Sequence, residues 1–183
     1  MTILEEKVNP FIESIERSIQ TENWYAALTL SLALPDICGR LENPKLGSEK
    51  RYIKFFNTYL KSFYISKVGE QKEIEFLSGS DMYALRCSFL HEGSSEIEHQ
   101  RARDILNSYI FVNGSKYLTV HKNMFISDNE KKLQLQVNKF SEEIVAGVKS
   151  WLEDCREKQY ILNQAESMIK IVDLSSGVDF SIG

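Results

Sequence analysis

The run "WYAALTLSLAL", Trp24 to Leu34, is apolar nearly all round and is broken only by Thr29 and Ser31. A helix with one apolar stripe sits at a surface, whereas a helix without a polar face must be surrounded. At 11 residues the run is too short to cross a bilayer, which takes about 20. It therefore predicts a central helix, starting at Glu22 behind Thr21 as its cap, with other helices packed around it. Pro35 follows inside the pattern, and its missing N–H predicts a kink or an end there. The next residues, "DICGRLE", change character sharply, placing Asp36, Arg40 and Glu42 directly after a buried segment.

Partners for such a helix are present on both sides. Leu4, Val8, Phe11, Ile12, Ile15 and Ile19 recur at helical spacing, and Asn9-Pro10 reads as a cap with a first-turn proline. Ser48 caps "EKRYIKFFNTYLKSFY", whose apolar stripe includes Tyr52, Phe55, Phe56, Tyr59 and Leu60. Six Lys/Arg and two Glu lie between Gly47 and Lys72. Basic residues beside aromatics are one mark of a nucleic-acid surface, but the helical pattern favours core aromatics and a solvated lysine face. Ser80 caps a short helix from Asp81 to about His91, ending near Gly93.

The texture then changes. "SYIFVNGSKYLTVH" holds two β-rich runs around Asn113-Gly114, a strong hairpin signal. Leu133 to Val137 alternates and supplies a third strand. Helical spacing returns from Phe140 to Cys155 and again from Tyr160 to about Val172. The tail "VDFSIG" alternates, as an edge strand or a frayed end. The expected fold is mainly α: one domain over residues 1–183, an up-and-down helical bundle with a small antiparallel β insertion at about residues 106–137.

Charge and cysteine content narrow the function. The net charge of −4 gives no global attraction to nucleic acid or anionic lipid, so any polyanion contact must be local. Three cysteines without a CxxC pair argue against a disulfide framework and a zinc site. Cys38 and Cys87 read as small core residues. The start lacks the basic region and apolar core of a signal peptide, so a cytoplasmic location and no membrane contact are expected. There is no glycine-rich phosphate loop, GxSxG or HExxH. His91, His99 and His121 are scattered, so neither a metal nor a cofactor is expected; His99 and His121 read as surface residues.

"YALRCSFLHEG" is the segment whose chemistry packing does not explain. Five residues turn a helix by about 500°, which leaves Arg86 and His91 roughly 140° apart. They converge if His91 lies at the helix end near Gly93 and the arginine reaches across, or if a second copy of the helix packs against the first. Asp36 and Arg40 read as lining the same cleft, with Asp36 orienting Arg86. A structural ion pair of Arg86 with Asp36 or Glu42, with His91 as a helix cap, accounts for the same residues.

An arginine and a histidine separated by four to six residues, late in a helix of an all-α bundle, resemble the HEPN domains (higher eukaryotes and prokaryotes nucleotide-binding). "LRCSFLHEG" is similar to their motif, and "ALTLSLALPDICGRLE" to the preceding helix of one bacterial group. The likeness covers about residues 21–93. It implies a metal-independent endoribonuclease, working as a homodimer with a composite cleft, in a toxin–antitoxin or antiviral defence setting with RNA as substrate and an antitoxin or other protein as partner. His91 would then be the general acid or base and Arg86 the phosphate ligand, with Asp36, Arg40 and Ser88 in support. The family usually carries a polar residue directly after the arginine, where this chain has Cys87, with Ser88 beside it as a partial substitute. That departure keeps open a second expectation, a non-catalytic module of the same fold that binds a protein or nucleotide.

Overall fold

A computed structural model describes residues 1–68, 72–114 and 119–171. Helix α1 (Ile3–Gln20) opens with a reciprocal cap: the Thr2 hydroxyl accepts from the Glu5 N–H, and the Glu5 carboxylate accepts from the Thr2 N–H. That cap starts the helix well before Asn9-Pro10. Pro10 therefore lies inside α1, on its exposed face, rather than at its beginning.

Helix α2 (Trp24–Glu42) is capped by Asn23, whose side chain accepts from the Ala26 N–H at 3.3 Å. Thr21 instead closes α1. Pro35 does not end α2, which stays helical to Glu42. Proline removes a single backbone bond, and here Leu34, Pro35 and Asp36 are all buried, so packing holds the helix on both sides of it. As expected of an all-round apolar segment, α2 is central: it touches α1, α3, α4, α5 and α6.

Helix α3 (Ser48–Phe55) takes Gly47 as its cap residue, so Ser48 is the first helical position and its hydroxyl is free for another contact. The chain continues without a break into a π turn (Phe56–Leu60) and a 3-10 turn (Lys61–Tyr64). The distortion coincides with a close approach to α5 (Val137–Cys155). A Cβ on Gly147 would collide with Leu60 Cδ2 and lie 3.1 Å from the Tyr59 carbonyl oxygen. The aromatic stripe is core, with Tyr52, Phe55, Phe56 and Tyr64 fully or nearly fully buried beside Trp151.

A short antiparallel hairpin, β1 (Ile65–Val68) with β2 (Lys72–Glu75), follows α3 and was not expected. Helix α4 (Gly79–Glu92) is capped by Ser78, not Ser80, with the Asp81 N–H donating to Ser78 Oγ at 3.1 Å. Its end is where the sequence puts it: Gly93 adopts φ 66°, the left-handed conformation that glycine takes at little cost. Asp81 fastens the loop after α4, its Oδ1 accepting from the backbone N–H groups of Asp104 (2.7 Å), Ile105 (3.2 Å) and Leu106 (3.4 Å).

The β insertion differs from the antiparallel expectation. It consists of β3 (Ser108–Val112), β4 (Asn123–Ile126) and β5 (Lys131–Gln136), in the order β3-β5-β4. The β3–β5 pairing is parallel and the β4–β5 pairing antiparallel. The returning arm expected after Asn113-Gly114 begins at residues 115–118, which lie outside the described residues, and Val112 pairs with Gln136. The tight turn lies at Ser127–Glu130, where the Ser127 N–H donates to the Glu130 carbonyl at 2.9 Å. Helix α5 starts directly after β5. Helix α6 (Gln159–Ala165) is shorter than the apolar spacing suggests, and the "VDFSIG" tail lies outside the described residues.

Candidate active site

Asp36 directly follows Pro35 within the buried part of α2 and is only 9% exposed. A carboxylate in that position must be paired, and two elements, α3 and α4, supply partners. Arg51 of α3 donates Nε to Oδ1 at 2.7 Å, and Arg86 of α4 donates Nη2 to Oδ2 at 3.1 Å. The Ser48 hydroxyl reaches both carboxylate oxygens at 3.2 Å. The approach of α2 to α3 depends on Gly39, since a Cβ there would stand 3.1 Å from the Arg51 carbonyl oxygen. Two guanidiniums share one carboxylate, leaving a local excess of one positive charge.

The remaining arm of Arg86 turns toward the end of α4. Its Nη1 lies 3.4 Å from His91 Nε2 and 3.9 Å from Cys87 Sγ. The two side chains that a regular helix holds well apart thus meet within one chain, because His91 sits in the last turn and Arg86 bends across it. Buried Arg86 Nε has no partner. Arg86 keeps 18% of its side chain exposed, while His91 is exposed. Tyr83, one turn before Cys87, packs edge-on against Tyr52 at 5.6 Å between ring centres. Burial pushes the Tyr83 phenol up, so it stays protonated at neutral pH.

Arg40 and Ser88 stand elsewhere. Arg40 is exposed and donates to the Pro44 carbonyl, on the α2–α3 connection rather than in the cleft. Ser88 is fully buried on the far side of α4, where its hydroxyl donates to the Glu96 carbonyl at 2.6 Å and secures the following loop. Arg51 and Ser48, which the sequence reading did not place here, take the positions assigned to them. A signal existed: Arg51 is the one arginine on a helix whose other basic residues are lysines, three positions after Ser48.

The other histidines also have definite places. His99 is a surface residue, with Nε2 at 2.8 Å from the Glu92 carboxylate. His121 is not: only 9% of its side chain is exposed. Its Nδ1 accepts from the Gln136 N–H at 3.1 Å, and its Nε2 faces Glu143 at 3.3 Å. Burial pushes the Glu143 carboxyl up, but hydrogen bonds from His121 and Lys122 more than offset it and hold it below the usual carboxylate range. Cys38 is buried as expected, and Cys87 is half-buried.

Among the described residues, no group of three or more His, Cys, Asp or Glu side chains is gathered to hold a metal ion. No helix among them is long and apolar enough to cross a membrane. No family model, curated protein or solved structure matches this chain.

Proposed function

We propose that the chain is a metal-independent endoribonuclease of the HEPN type, with Arg86 and His91 at its centre and Asp36, Arg51 and Ser48 holding Arg86 in place. The observation that carries this reading is the 3.4 Å contact between Arg86 Nη1 and His91 Nε2. Arginine offers a planar fork suited to phosphate, and imidazole changes protonation near neutral pH. At rest, Nη1 occupies the face of Nε2 that a base must present. A phosphate arriving at Arg86 draws Nη1 onto its own oxygens and frees Nε2.

Nε2 then takes the proton of the neighbouring RNA 2′-hydroxyl, and the 2′-oxygen attacks phosphorus. The P–O5′ bond breaks, a proton goes to the leaving 5′-oxygen, and the products are a 2′,3′-cyclic phosphate and a free 5′-hydroxyl. Arg86 stabilises the charge that builds on the phosphoryl oxygens. The reading includes a homodimer in which exposed His91 of each copy faces a shared cleft, so that the second histidine protonates the leaving group. A toxin–antitoxin or antiviral setting, with an antitoxin or other partner protein and a cytoplasmic location, belongs to the same proposal.

A second reading has its own support. Asp36 and Arg51 hold Arg86 as an interhelical ion-pair network, and Cys87 replaces the polar residue usual after the arginine. On that reading the domain binds a protein or nucleotide without cleaving RNA.

Incubation of the purified protein with total RNA in EDTA, with analysis of the product ends, separates the two. Cleavage is expected to survive EDTA. It should fall by about a hundredfold or more in His91→Ala and similarly in Arg86→Ala, with helicity unchanged. Arg86→Lys should also be impaired, because an ammonium lacks the two-pronged contact. Full activity in His91→Ala, or a strict need for a divalent ion, overturns the mechanism.

A further inference from the structure

Beyond the Arg86 cluster, the seam between α2 and α4 opens into a cavity of about 370 Å³. Its lining includes Trp24, Tyr25, Phe89, Phe111, Ser95 and Asn113. The described lining residues include no charged side chain. Such a volume lies at the small end of small-molecule sites, where apolar walls with a few polar groups are usual. Tyr25 is 81% exposed at the rim, which leaves its ring face open to a ligand. Phe111 is held from behind by an edge contact with Phe140, 6.2 Å between ring centres.

This cavity and the cationic cluster share the same two helix faces. Tyr25, Leu28, Leu32 and Asp36 follow one another at three- and four-residue steps, so Tyr25 and Asp36 differ by only about 20° around α2. Arg86, Phe89 and Gly93 make the matching stripe on α4. Along α2, Leu28 at the cavity is about 12 Å from Asp36. Stacked nucleotides advance about 3.4 Å each, so three or four of them, and fewer once unstacked, span the distance.

We infer that this aromatic cavity is a nucleobase subsite for single-stranded RNA, receiving a base a few nucleotides from the phosphate bound at Arg86. The inference rests on the ribonuclease reading of that site. Aromatic walls stack any base, and the Asn113 amide and Ser95 hydroxyl add hydrogen-bonding groups that can discriminate among base edges. Charge fixes the strand's other contact, since the adjoining Arg51–Arg86–Asp36 cluster carries one unmatched positive charge. A bound strand thus places its backbone on the arginines and a base between the rings.

The test uses a fluorescein-tagged RNA decanucleotide, 2′-O-methylated throughout so that it is not cleaved, beside an abasic oligomer of the same length. Anisotropy reports binding, and tryptophan emission reports the cavity. Trp151 is fully buried, and Trp24→Phe identifies the Trp24 share of the signal. The base-bearing oligomer is expected to quench Trp24 and the abasic one is not. Tyr25→Ala should weaken the base-bearing oligomer about tenfold without affecting the abasic one, while Arg86→Ala weakens both. Binding that depends on Arg86 but neither changes Trp24 emission nor responds to Tyr25→Ala overturns the subsite and leaves the cleavage reading standing. If neither oligomer binds the wild-type protein, both fall, and quenching by an apolar helical peptide alone would make the cavity a protein-docking site instead.

Discussion

Asp36 bears on stability and, on the proposed reading, on chemistry, and its variants separate the two. Its carboxylate serves two guanidiniums, each less than one-fifth exposed. Removing one partner of a buried ion pair costs about 3–5 kcal/mol; with water reaching the rim of this cluster, about 2–3 is a fair expectation for Asp36→Ala. Asp36→Asn keeps one acceptor oxygen and should cost less, yet it holds Arg86 less firmly. Urea denaturation beside the RNA assay should show Asp36→Ala destabilised, and Asp36→Asn folded but slower in cleavage. An Asp36→Asn variant with full activity would show that the carboxylate does not position Arg86. The sequence revealed Asp36, Arg86 and His91 because each is a polar residue in apolar surroundings. It misassigned Arg40 because spacing within one helix says nothing of what the next helix presents. Arg51 and Ser48 came from α3 and filled Asp36, while Arg40, one turn further on, met the Pro44 carbonyl.

Among elements, helices were readable and strand partners were not. Apolar periodicity belongs to the helix itself, so α2, α3, α4 and α5 were recognisable, and errors gathered at their caps. The β3 strand was also visible, but its partner β5 lies beyond Asn113-Gly114 and beyond β4, in parallel. A local turn signal cannot report such a pairing. The π turn after α3 was likewise silent in the sequence, because it answers to α5. Gly147 tests this. Alanine is the better helix former by about 1 kcal/mol, but its Cβ would collide with Leu60 Cδ2 and stand 3.1 Å from the Tyr59 carbonyl oxygen. Overpacking of this kind costs about 1–3 kcal/mol. Gly147→Ala should therefore be neutral to destabilised by about 2 kcal/mol, and Gly147→Val clearly worse. A stabilised Gly147→Ala would mean that the turn yields freely.

At the scale of the whole molecule, net charge and local charge oppose each other. The chain carries −4 overall, so two copies repel, and salt that screens the repulsion favours their association. On the proposed reading, RNA held at the arginines would behave in the opposite way, losing affinity as salt rises. Sedimentation at micromolar concentration should show the proposed dimer, with its share growing from low to moderate salt, while oligonucleotide affinity falls over the same range. A protein that stays monomeric throughout and still cleaves RNA would contradict the composite cleft.

The sharing of Asp36 by two arginines also sets a valence. The cluster is one anion short, and an internal phosphodiester brings one negative charge. A terminal phosphate brings about −1.5 to −2 at neutral pH, more than the vacancy balances. On the proposed reading, one internal phosphodiester leaves the cluster balanced, whereas a phosphorylated end held there leaves a surplus of negative charge for the solvent to screen.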